Sequence, residues 1–206
     1  MGCSSPRGAA VDAWGHPRQS SAMLSTLARP ITRHEYALIP VGAPNYQLIE
    51  GDLVMAPSPS TFHQDILLNL AGLLRDYLAA HPVGKIYIAP LDTYLSDLNV
   101  YQPDLLFIRQ ENSGIIEEHG IEGAPDLVVE ILSKTSAKYD LGPKRSVYAR
   151  TGVEELWIID PAKRTLALYR LSENADTPAA TYRAKQKFTS TLLPGLSIDL
   201  AAVFAP

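Results

Sequence analysis

The sequence predicts an α/β fold, a mixed β-sheet flanked by helices, and three observations carry that expectation. Residues 127–132, Leu-Val-Val-Glu-Ile-Leu, form an apolar run of the length of one fully buried strand. Phe62, Ile66, Leu70, Leu73, Leu74, Tyr77 and Leu78 recur at helical spacing, a stripe wide enough to pack against a sheet. Turn signals separate further apolar runs on both sides of these two elements. At 206 residues and 46% hydrophobic content the chain supports one well-buried core, not two.

In chain order, residues 1–30 are rich in Gly, Ser, Ala, Pro and Arg without sustained periodicity, which fits either a disordered tail or an over-long start with Met23 as the initiator. The remainder, 31–206, is expected to be a single domain. Residues 46–50 and 53–56 flank Gly51-Asp52 and predict a tight hairpin. Thr61 with Gln64 resembles a capping box for the long helix, which His81-Pro82 ends. Strands are expected at 85–95 and 103–109, with a turn at 96–99, and a loop or short helix at 110–124. After the 127–132 strand, Asp140 reads as the cap of a helix with Pro143 in its first turn and Gly152 at its end. Residues 155–160 and 165–171 predict a hairpin across 161–164, and a strand is expected near 182–189.

A net charge of −4 argues against generic coating of nucleic acid, although it leaves room for a local basic surface. The single cysteine, Cys3, excludes a disulfide framework within the chain and makes the cytoplasm the expected compartment. No segment has the apolar length of a membrane span, and Pro6 stands where a myristoylation signal wants Ser or Thr. Lys134, Lys138, Lys144, Arg145 and Arg150 surround the single acid Asp140, a basic stretch that either follows a phosphate backbone or forms a solvated helix face.

Glu130 is the residue that this pattern does not accommodate for free. A carboxylate in a strand buried on both faces costs several kcal/mol unless it is paired. If residues 104–108 and 127–132 are neighbouring strands, Asp104 and Glu130 lie side by side, and two convergent carboxylates suit a hard divalent cation such as Mg²⁺ or Mn²⁺. The plain alternative is a structural pair between Glu130 and a lysine or arginine.

Gln102-Pro103-Asp104, then Glu130-Ile131-Leu132-Ser133, then Asp140 with Lys144 and Tyr148, then residues 152–157, Gly-Val-Glu-Glu-Leu-Trp, form one ordered series. It resembles the PD-(D/E)XK nuclease superfamily, and more closely its Uma-type branch of restriction-endonuclease-like proteins, over residues 36–188. The resemblance implies a restriction-endonuclease-like core and metal-dependent hydrolysis of DNA. It also implies Asp104 and Glu130 as metal ligands and Lys144 as the catalytic lysine, because Leu132 stands two positions after Glu130 where the superfamily pattern has lysine. Lys144 also has a simpler explanation in its i,i+4 spacing from Asp140. Tyr148 shares that stripe, as a lid over the site or as a core residue.

Glu50 and His63 are further candidates by the same resemblance, with Glu50 as a third metal ligand. Their plain alternatives are a turn residue and a helix N-terminal residue. The resemblance leaves the oligomeric state open, although a homodimer is common among nucleases that cut both strands. Leu132 also keeps alive a rival from another class, a catalytically silent nucleic-acid-binding or interaction module with the same fold.

Overall fold

The core is a six-stranded mixed sheet with the strand Leu127–Ile131 among its inner strands, and the reason is visible in the burial of all five of its residues. The computed structural model describes residues 29–40 and 45–205, and from Ile31 onward the chain forms one compact unit. The expected tail at 1–30 lies outside the described residues except for its last two positions.

The elements run as α1 (Arg33–Tyr36), β1 (Tyr46–Ile49), β2 (Asp52–Met55), α2 (Thr61–Ala80), β3 (Gly84–Ile88), β4 (Thr93–Ser96), β5 (Asn99–Tyr101) and β6 (Leu105–Arg109). A 3₁₀ turn at Gln110–Ile115 leads to β7 (Ile116–Glu117), β8 (Gly120–Glu122) and β9 (Leu127–Ile131). Then come α3 (Ala137–Tyr139), a wide π-type turn at Asp140–Lys144, α4 (Arg145–Thr151), β10 (Glu155–Asp160), β11 (Thr165–Arg170), β12 (Ala180–Arg183), β13 (Lys187–Thr189), β14 (Ser197–Asp199) and α5 (Leu200–Val203).

The main sheet has the order β12-β11-β10-β9-β6-β3; β10 is parallel to β9 and the other pairings are antiparallel. Alternation along β9 sends Leu127, Val129 and Ile131 to one face, against the stripe Ile66, Leu67, Leu70 and Leu74 of α2. Val128 faces the other way, with Val147 and Tyr148 of α4 and with Tyr101 of β5. Glu130 shares the parity of Val128 and so points toward α4.

Several expectations need correction. Residues 85–95 are not one strand: Pro90 has no N–H to continue a ladder, and β3 and β4 belong to different sheets. The second sheet, β2-β1-β5-β4-β8-β7, was not foreseen. The hairpin turns at Glu50-Gly51, one position earlier than expected, with φ of 53° and 85°, the paired positive values of a type I′ turn. The cap of α2 is Ser60, whose Oγ accepts from the His63 N–H at 3.2 Å, not Thr61. The region at 182–189 holds two strands, β12 and β13, separated by a turn.

Asp140 is likewise not a cap. Pro143 removes a donor and crowds the preceding turn, and Gly142 leaves helical geometry at φ −119° and ψ −108°. The widened turn carries Asp140 and Lys144 inward, and both are buried. Gly152 does end α4 in the left-handed region, with φ 102°.

Candidate active site

The strands bring Asp104 and Glu130 together. Leu105 pairs with Val129 across the antiparallel β6–β9 ladder, so the next position outward sets Asp104 opposite Glu130. Asp104 lies just before β6, where its Oδ2 accepts the Ile131 N–H at 2.6 Å. Its Oδ1 lies 3.3 Å from His63 Nε2, which the first turn of α2 presents. The His63 ring is buried, and its Nδ1 has no hydrogen-bond partner among the described residues. Burial favours the neutral ring, but Asp104 outweighs it and holds the His63 pKa above its ordinary value.

Glu130 is held from the opposite face. Lys144 Nζ donates to its Oε1 at 2.7 Å and to Asp140 Oδ1 at 3.0 Å, and the Tyr148 O–H donates to the same Oε1 at 2.6 Å. Lys144 and Tyr148 stand four residues apart, one above the other, so both donors converge on one oxygen. Tyr101 closes the cluster: its ring meets that of Tyr148 edge-on at 5.4 Å, and Lys144 Nζ sits 5.6 Å from its centroid.

The charges explain the direction of each shift. Burial, with Asp140 and Asp104 nearby, pushes Glu130 up to about 8 despite the opposing pull of Lys144. Burial alone would lower Lys144, yet Glu130 and Asp140 together raise it, so the ammonium stays charged. Burial also raises the Tyr148 hydroxyl well above its ordinary value, and Glu130 adds to the effect, so it remains a donor.

His63, Asp104, Glu130, Asp140 and Lys144 line a cleft of about 850 Å³, together with Gln102 and residues 132–136. Ser133, Thr135 and Ser136 bond to one another, Ser133 Oγ to Ser136 Oγ at 3.0 Å, and so fix the bend between β9 and α3. Nothing in the sequence singled out these hydroxyls, although their Ser-x-x-Ser spacing is a turn signal.

The donor set fits a divalent cation that keeps its waters. Glu130 and Asp140 share the Lys144 ammonium, and Asp104 stands on the neighbouring strand beside His63. Glu130 Oε2 has no hydrogen bond among the described residues, and Asp104 Oδ1 has only His63 beside it. Among the described residues no group of three or more His, Cys, Asp or Glu that could hold a metal ion is present.

Two sequence candidates fall elsewhere. Glu50 does not line the cleft; its turn position carries it to the surface, where Arg150 Nη2 holds its carboxylate at 2.6 Å. It is therefore not placed as a third metal ligand. The basic stretch at 134–150 is also not a continuous phosphate track, because Lys144 is buried, Arg145 faces Asp176 and Arg150 is taken by Glu50.

The comparisons with known proteins agree with this fold. No curated protein matches the chain. A crystal structure of a protein from Anabaena variabilis ATCC 29413, described as "a putative nuclease belonging to DUF820", superposes with a TM-score of 0.70 at 20% sequence identity, covering 85% of this chain and 98% of that one. At that identity the likeness bears on fold. No helix among the described residues is long and apolar enough to cross a membrane. The sequence model of the Uma2 family, described as "Putative restriction endonuclease", matches residues 34–201, and the chain belongs to that family.

Proposed function

We propose that residues 31–206 form a restriction-endonuclease-like domain that hydrolyses phosphodiester bonds in DNA with a divalent metal ion. The observation that carries this reading is the pairing of Asp104 and Glu130 across adjacent strands at a cleft, with Lys144 Nζ 2.7 Å from Glu130. A phosphodiester repels hydroxide, so hydrolysis needs charge neutralisation and an activated water. A bound Mg²⁺ or Mn²⁺ would polarise the phosphoryl oxygen and lower the pKa of a bound water.

The chain's own residues prepare that site. Asp104 and Glu130 would hold the ion. Ile131 N–H fixes one Asp104 oxygen and leaves the other beside His63, while Tyr148 and Lys144 fix Glu130 Oε1 and leave Oε2 free. Lys144 adds a positive charge beside the scissile phosphate as negative charge builds there. Asp140 keeps that ammonium in place. Cleavage of both strands would call for a homodimer.

The alternative of a silent binding module draws on one observation, the enclosure of Lys144 at 2% side-chain exposure between two carboxylates, with Leu132 in the usual lysine position. Incubation of supercoiled and linear DNA with Mg²⁺, Mn²⁺ or EDTA separates the two. Cleavage by the wild type, abolished by EDTA and by Glu130→Ala, supports the nuclease; DNA binding without cleavage in any divalent ion supports the module.

A further inference from the structure

The cleft continues past the catalytic cluster onto the β10–β11 turn. Asp160, Pro161 and Ala162 line the cleft, and the next two residues, Lys163 and Arg164, line a second, open groove of about 620 Å³. The opposite side of that groove is the β12–β13 turn, with Arg183, Lys185 and Gln186. One turn therefore serves both depressions.

The two turns are fixed relative to each other. Arg164 takes φ 50°, and its carbonyl accepts the Ala184 N–H at 3.1 Å. The Gln186 side chain accepts the Arg183 N–H at 2.7 Å and closes the second turn. The Arg164 guanidinium lies 5.6 Å from the centroid of the Phe62 ring, and Phe62 directly precedes His63 in the first turn of α2. The groove thus abuts the helix end that supplies a cleft residue.

Its exposed cations stand together, whereas other exposed cations without an ion-pair partner among the described residues, such as Arg75, Lys85 and Lys134, lie outside this groove. Arg33, Arg109, Arg145, Arg150 and Arg170 are each paired with a carboxylate. In the groove only Lys163 is paired, with Asp160 at 2.9 Å. Arg164, Arg183 and Lys185 are exposed and have no ion-pair partner among the described residues. In a chain of net charge −4 this is a local concentration of free positive charge beside the cleft.

We infer that Arg164, Arg183 and Lys185 receive the phosphate backbone of the nucleic-acid strand whose scissile phosphodiester lies at Asp104 and Glu130. The inference rests on the function proposed above and assigns a substrate class, a strand of several nucleotides held by sequence-independent phosphate contacts. The basic surface that the sequence suggested at 134–150 is thereby replaced by one built from two turns.

The test uses the full chain and the triple variant Arg164→Asn/Arg183→Gln/Lys185→Gln, with Asn chosen because it tolerates positive φ. Binding of a fluorescent oligonucleotide is measured by anisotropy in EDTA across a salt series, and Mn²⁺-dependent hydrolysis is measured on bis-p-nitrophenyl phosphate, a diester too small to span the groove. The triple variant is expected to bind roughly tenfold or more weakly, and its slope of log K against log salt is expected to fall by about 2–3. Its hydrolysis of the small diester should match wild type. Unchanged affinity and slope would overturn the groove and leave the nuclease reading standing. Equal losses on both substrates would also overturn it, by showing damage to the catalytic site. Groove-dependent binding with no hydrolysis by the wild type would support the groove and overturn the nuclease reading.

Discussion

Lys144, the last residue of the wide turn before α4, donates to Glu130 of the central strand at 2.7 Å, and the same Nζ reaches Asp140 at 3.0 Å. The pair is buried on both sides, so each partner depends on the other. Removing one member of a buried pair typically costs about 3–5 kcal/mol, because its partners, here Glu130 and Asp140, are left uncompensated in a dry site. Lys144→Met is expected to destabilise the protein by that amount in urea denaturation. Adding Glu130→Gln should recover part of the loss, and additive costs would contradict the coupling.

The raised Glu130 carboxyl sets a pH dependence in the metal-free protein. Its folded value, about 8, exceeds its ordinary value of 4.5, so between these limits the folded state binds the extra proton. Stability is therefore full at acid pH and lost as pH rises toward 8. His63, also raised, works in the same direction above its ordinary value of 6.5. Urea denaturation in EDTA is expected to show falling stability from pH 5 to pH 8, and Glu130→Gln should flatten most of that slope.

Glu50 offers a contrasting case. Its bond to Arg150 joins side chains that are 45% and 51% exposed, and such pairs contribute about 0–1 kcal/mol. Glu50→Ala should leave both stability and DNA cleavage near wild type. A loss of metal affinity in this variant would restore Glu50 as a ligand.

Ser60 connects helix capping to the site, because the N–H it caps belongs to His63. Ser60→Ala is expected to cost about 1 kcal/mol in thermal or urea unfolding. Ser60→Asp, which keeps a capping oxygen, should recover it.

The central strand and its acid were legible because an apolar run of six residues tolerates a carboxylate only where something pairs with it. Asp104 was legible through the same argument, since an antiparallel neighbour puts the first residue of one run opposite the end of the other. Lys144 came from family resemblance; periodicity alone gave only its i,i+4 relation to Asp140. The kink at Gly142-Pro143 hid the rest, because it turns Asp140 from a cap into a buried partner and swings Tyr148 onto Glu130. Strands of two to four residues, such as β5, β7 and β8, carry too little alternation to reveal the second sheet. The groove at Arg164, Arg183 and Lys185 joins two turns about twenty residues apart, and no local pattern reports that meeting.

The most direct test of the central claim is calorimetric titration of Mg²⁺ and Mn²⁺ into wild type, Asp104→Asn and Glu130→Gln, each shown to be folded by circular dichroism. One site in the wild type, lost in both variants, is the expected result. Equal binding by all three proteins, or none by the wild type, would contradict a metal centre at Asp104 and Glu130.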